Sequence, residues 1–207
     1  MSKKGGEKVD YSKLTDMHLD AVKEIFNIGA GHGANALSSL LSTQIDINIP
    51  YLEIIDIETI YEKIALEEVV VGVLIRIIGD APGNILFTFS EETAKKIIKT
   101  LIGYEGEIEE SEIGQSVLCE IGNMIGASYM NAVSEFTGIR MLASVPALAH
   151  DMTGAILTTA FIESLQQADK ILEIKTNLKV IGDNLSTCLY YLPREDSLDK
   201  ILSSIGF

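Results

Sequence analysis

The sequence is poor in the residue types that build several common sites. Of 207 residues only two are cysteines, Cys119 and Cys188, far apart and in no CxxC pair, which argues against a thiolate metal site. Isolated cysteines of this kind fit a reducing cytoplasm and are expected as small, buried or half-buried residues. The three histidines, His18, His32 and His150, show no ligand spacing. Basic residues are scarce: 16 Lys and Arg against 30 Asp and Glu give a formal charge of −14. No basic cluster offsets that charge, which argues against nucleic acid and against anionic membrane surfaces as partners. Long apolar runs are missing too. The longest, Val69 to Ile78, is interrupted by Arg76, so no membrane span is expected. The opening MSKKGGEKVD is polar throughout and does not read as a signal peptide.

What the chain has is apolar mass and a repeat. It is 47% hydrophobic and 22% charged, enough for a core, with a flexible tail expected at 1–11. Asp20, Glu24 and Asn27 are followed by Pro50; Ser116, Glu120 and Asn123 are followed, at identical spacing, by Pro146. Glu24, Ile25, Asn27, Asn35, Ala36, Ser38 and Pro50 all recur 96 positions later. Residues 12–207 therefore read as a single domain made of two repeats, about 12–103 and 111–207, with an approximate internal two-fold.

Each half reads as helix, strands, helix. From Ser12, Leu19, Val22, Ile25, Phe26 and Gly29 share one helical side, with Asp20, Lys23, Glu24 and Asn27 on the other. Gly29, Gly31 and Gly33 are expected to admit a close neighbour or to bend the chain. Gln44–Pro50 alternates as a strand, residues 57–66 read as a short helix or connector, and Val69–Ile78 and Asn84–Phe89 form a hairpin. Ser90 caps a helix that stops at Gly103. In the second half a helix is expected over Ser111–Thr137, strands over Ile139–Ala147, Gly154–Ile162, Ile171–Ile181 and Ser186–Leu192, and a last helix opened by Pro193. The predicted fold is α/β (α+β): a largely antiparallel shared sheet flanked by helices, with the two long motif-bearing helices on one face.

Gly29-x-Gly31-x-x-Ala34 formally matches a dinucleotide fingerprint, but no strand feeds it and the second repeat has Ile125 and Ala127 in place of the glycines. A phosphate-binding turn is thereby rejected. The Glu–Asn pairs remain. Residues three and four apart share a helix face, so Asp20, Glu24 and Asn27 form one polar stripe, and Ser116, Glu120 and Asn123 another. Helix propensity does not account for Asn in mid-helix twice. A carboxamide does not titrate, yet it donates and accepts hydrogen bonds together. It is suited to orienting a water molecule beside a phosphoryl group, the task glutamine performs in GTPases.

The doubled motif [Asp/Ser]-x3-Glu-x2-Asn-x22-Pro, with Asn27-Ile28-Gly29-Ala30-Gly31, resembles the CheC family of chemotaxis phosphatases, which includes CheX and FliY relatives. The resemblance implies dephosphorylation of the aspartyl phosphate of a CheY-type receiver domain. Asn27 and Asn123 would place the attacking water, and Glu24 and Glu120 would hold the receiver, through its active-site lysine. Asp20, Pro50, Ser116 and Pro146 would support the geometry. No cofactor of its own is implied; the Mg²⁺ would come from the receiver. CheD deamidase is a further implied partner. The rival readings are a binding module that sequesters CheD or the phosphorylated receiver, and a flagellar-switch component, against which stands the lack of the extra switch domain expected of FliY. The sequence departs from the pattern at Phe26, where a small residue such as Gly122 of the other repeat is expected. Its ring either packs inward or hinders docking at the first site, which makes the second site the safer of the two.

Overall fold

The computed structural model describes residues 14–56, 58–59, 62, 66–162, 170–180, 183–194 and 196–204. The expected tail at 1–11, the helix start at Ser12 and most of the connector at 57–66 lie outside them. The first helix, α1 (Asp16–Leu41), buries Val22, Ile25, Phe26, Ala30, Ala34 and Leu37 at helical spacing. It runs unbroken through the three glycines and closes on Ser42 in a left-handed conformation (φ 48°). Gly29 marks a close approach: a Cβ there would stand 2.9 Å from the Tyr129 Cα. Gly31 meets nothing within 4 Å, so only some of the glycines serve close packing.

Strands β1 (Ile45–Asp56), β2 (Val69–Gly79) and β3 (Gly83–Ser90) lead to α2 (Glu91–Ile102). The Ser90 side chain accepts the Thr93 N–H at 3.2 Å, and Gly103 (φ 68°) ends the helix, both as the sequence predicts. After a single 3₁₀ turn, α3 (Glu112–Thr137) begins under the Ser111 cap, whose Oγ accepts the Gly114 N–H at 3.0 Å.

The second half departs from expectation in three places. The strand expected over Ile139–Ala147 is two strands, β4 (Met141–Ala143) and β5 (Ala147–Met152). The segment expected as strand Gly154–Ile162 is a helix, α4 (Thr153–Phe161). Its buried residues Ile156, Leu157, Ala160 and Phe161 fall on one helical side. Thr158 and Thr159 return their hydroxyls to the Gly154 and Ala155 carbonyls at 2.7 and 2.9 Å. β-branched composition thus yields to tertiary fit, because Ile156 seats against the bare backbone of Gly72. Finally, Pro193 ends a strand rather than opening a helix: β6 (Lys170–Val180) and β7 (Asp183–Pro193) precede α5 (Ser197–Ser204).

The seven strands form one sheet, in the order β1-β6-β7-β3-β2-β4, with β5 also on β2 and every pairing antiparallel. The β6–β7 hairpin of the second half therefore meets the β2–β3 hairpin of the first at the centre. The outer strands are exchanged: β1 of the first half pairs with β6 of the second, and β4 and β5 of the second pair with β2 of the first. On one face Val71, Val73, Ile75, Ile77, Ile85, Phe87, Leu172, Ile174 and Leu189 lie under α1, α2, α3 and α5 in one continuous core. On the other, Val70, Leu86, Ile171, Tyr190 and Leu192 pack with α4.

Candidate functional site

In both long helices the inward residues are apolar and buried, which turns the polar stripe outward. On α1, Asp20 and Glu24 are exposed and Asn27 is half-buried; on α3, Ser116 and Glu120 are exposed and Asn123 is half-buried. Each stripe thus has a free carboxylate and, one turn on, an amide at the edge of the packed surface. Phe26 takes the inward course. It is 4% exposed, its ring 5.3 Å from that of Tyr129 and 6.1 Å from that of Tyr191. At the matching Gly122, a Cβ would meet Val73 at 2.7 Å. The two helices are seated differently on the sheet, and neither residue obstructs the stripe.

The fixed distance from Asn to Pro also has a structural cause. Asn27 Oδ1 accepts the backbone N–H of Ile49 at 3.2 Å, and Lys23 Nζ donates to the Pro50 carbonyl at 3.1 Å. Helix and strand are pinned together immediately before the proline. Pro50 lies where the β1–β6 register shifts, between Asn48 and Tyr51. Pro146 lies at the matching irregularity, because β2 pairs with Ala143 and then with Ala147, skipping Ser144–Pro146. A residue with no N–H fits a place where the ladder is interrupted. Both prolines thus stand where a ladder is interrupted.

The two sites differ in how the amide is held. Ile49 is 3% exposed, whereas Val145, its counterpart, is 89% exposed. Ser144 closes the gap instead: its N–H donates to the Arg76 carbonyl at 2.9 Å, and its Oγ accepts the Arg76 N–H at 3.1 Å. Among the described residues no side-chain hydrogen bond engages Asn123, so its amide keeps both donor and acceptor free. Ser116 turns its hydroxyl back onto the Glu112 carbonyl at 2.9 Å and presents less to a partner than Asp20 does. Sequence reasoning passed over Lys23 and the Ile49 amide; the constant gap between Asn and Pro was the signal that linked them.

A cavity of about 430 Å³ opens on the opposite sheet face, lined by Glu173, Lys175, Cys188 and Tyr190 among others, and none of Glu24, Asn27, Glu120 or Asn123 borders it. Burial pushes the Cys119 and Cys188 thiols up from their ordinary range, so neither is a thiolate nucleophile at neutral pH. Among the described residues no group of three His, Cys, Asp or Glu is placed to hold a metal ion, and no helix is long and apolar enough to cross a membrane. The arrangement offers hydrogen bonds and charge on the outward side of two helices, where a group carried by another macromolecule can reach them.

Known proteins resemble this chain in sequence and in fold. Residues 17–54 match the family described as CheC-like, and residues 71–167 match the chemotaxis phosphatase CheX. The chain is 27% identical to the CheY-P phosphatase CheC of Bacillus subtilis, over 95% of this chain and 97% of that protein. The solved FliY of Thermotoga maritima superposes with a TM-score of 0.76 at 20% identity, over 93% of this chain and 98% of that one. The FliM middle domain of H. pylori follows the same fold, with a TM-score of 0.65 at 13% identity over 92% and 99%. The doubled Glu–Asn stripe thus sits on a chain that is similar, in sequence and in fold, to the CheC, CheX and FliY proteins of chemotaxis.

Proposed function

We propose that this protein hydrolyses the aspartyl phosphate of a phosphorylated CheY-type receiver domain, each helix stripe serving as half of an active site that the receiver completes. The observation that carries this reading is the doubled stripe itself: an exposed carboxylate and, three residues on, an edge-placed amide, at Glu24/Asn27 and Glu120/Asn123. The relative named a CheY-P phosphatase aligns along nearly the whole chain.

In the proposed step, the oxygen of a water molecule bonds to phosphorus while the bond from phosphorus to the acyl oxygen breaks. The receiver's aspartate leaves as a carboxylate, one water proton stays on the released phosphate and the other passes to solvent. Asn27 or Asn123 holds the water in line by accepting from it, with its NH₂ turned toward the phosphoryl oxygens. A neutral amide avoids the repulsion that a second carboxylate would meet there. Glu24 and Glu120 pair with a cation of the receiver, and the Mg²⁺ is the receiver's own. The protein acts where its substrate is, in the cytoplasm.

Decay of a CheY-type receiver phosphorylated with acetyl phosphate tests this. The wild-type chain accelerates decay, and the Asn27→Ala/Asn123→Ala variant returns it to the receiver's own rate. Unchanged decay with the wild-type chain refutes the activity; a fully active double variant refutes the assignment of the two amides. CheD added to the same assay separates hydrolysis from sequestration.

A further inference from the structure

The two stripes extend beyond the residues used so far. Met17 and Ile113 are 66% and 68% exposed, large and apolar, and occupy the same position of the two repeats. Each lies three residues before Asp20 or Ser116 and on the same side of its helix as the Glu and Asn that follow, given about 100° of rotation per residue. About 15 Å of helix separates Met17 from Asn27, and Ile113 from Asn123. At the other end of the stripe stand Gly31 and Ala127, and a Cβ on Gly31 meets nothing within 4 Å. Each stripe therefore runs apolar anchor, carboxylate or hydroxyl, Glu, Asn, and then bare backbone or methyl. Isolated exposed apolar residues are ordinary on a protein surface. A pair kept at equivalent positions, in line with the candidate site, is not accounted for that way. Leu40 and Phe136 are also equivalent and exposed, at 58% and 50%, but they lie at the far helix ends and more than about 100° round the axis.

Resting on the function proposed above, we propose that Met17 and Ile113 are the docking anchors of the two sites, each inserting into an apolar patch of the phosphorylated receiver about one helix-stripe length from its phosphorylation pocket. The occupant is the receiver because the anchor shares a continuous surface with the amide that must reach the phosphoryl group. Gly31 and Ala127 leave the far end low, so that the receiver's pocket can settle over Asn27 or Asn123.

The sites are tested one at a time: Met17→Ser with Asn123→Ala, and Ile113→Ser with Asn27→Ala, each against its Asn→Ala parent. The probes are a CheY-type receiver with Mg²⁺ and beryllofluoride for affinity, and the acetyl-phosphate-labelled receiver for turnover. Loss of one buried anchor raises Kd and KM about tenfold while turnover at saturating receiver is retained. Met17→Leu and Ile113→Leu restore binding, and Leu40→Ser leaves KM at the parent value. A KM within about twofold of the parent for both serine variants, or lowered turnover at unchanged KM, overturns the anchors and leaves the phosphatase reading standing. A change of oligomeric state in place of a change in KM also overturns them, by assigning the patch to a second copy of the chain. Wild-type protein that neither binds nor accelerates decay overturns the functional reading, and the anchors with it.

Discussion

Asn27 and Asn123 occupy the same position in two helices of equal length, and their surroundings hold them differently. The Asn27 oxygen already accepts the Ile49 N–H, so that amide is oriented but has less to offer a water molecule. Asn123 is free to do both. Asn123→Ala should therefore remove the larger share of phosphatase activity, read as the rate of receiver dephosphorylation. Stability should respond in the opposite order. Asn27→Ala strands a partly buried backbone donor and costs about 1 kcal/mol, while Asn123→Ala costs close to nothing in a denaturant melt. The three glycines of α1 give a second contrast. Gly31→Ala adds a methyl in open space within a helix and should stabilise by about 0.5–1 kcal/mol. Gly29→Ala drives a Cβ against the Tyr129 backbone and should destabilise. Denaturation midpoints of the two variants should move in opposite directions.

At the scale of elements, the helices were the most legible part of the chain. The apolar spacing of Val22 and Ile25, the Ser90 cap and the Gly103 stop all have their expected roles. The polar stripe was legible for the same reason, because periodicity says which residues face outward. The fate of the Phe26 ring was not, since the choice between core and surface is made by Tyr129 and Tyr191, which are remote in sequence. Residues 153–161 misled because their β-branched content outweighs their helical spacing until Ile156 has Gly72 to sit on. The Asn27–Ile49 contact depends on a bulge that no local pattern announces. The seating of α3 on β2 can be tested by a cycle. Gly122→Ala brings a methyl 2.7 Å from Val73 and should cost about 1–3 kcal/mol. Val73→Ala should cost a similar amount through its cavity, and the double variant should lose clearly less than the two together.

For the whole molecule, the repeat told that two halves are equivalent but not which strands pair, since an offset in sequence carries no partner. The exchange of β1 against β4 and β5 means that neither half owns a complete three-stranded unit. Fragments 1–106 and 107–207, made separately, should each show little cooperative structure by circular dichroism. Mixed, they should recover a cooperative melt. A fragment 1–106 that folds by itself as a monomer would contradict the exchanged pairing.

The exchange also changes what the link between α2 and α3 does. Cut there, the halves would still hold each other by an outer strand on each side, as two swapped subunits do. With the link in place, that association is internal, at an effective concentration set by a short tether rather than by the amount of protein in solution. The intact chain should unfold at a midpoint independent of protein concentration, and the severed pair at one that falls on dilution. The two motif-bearing helices are thereby held side by side even at very low copy number, so that both polar stripes are always presented together.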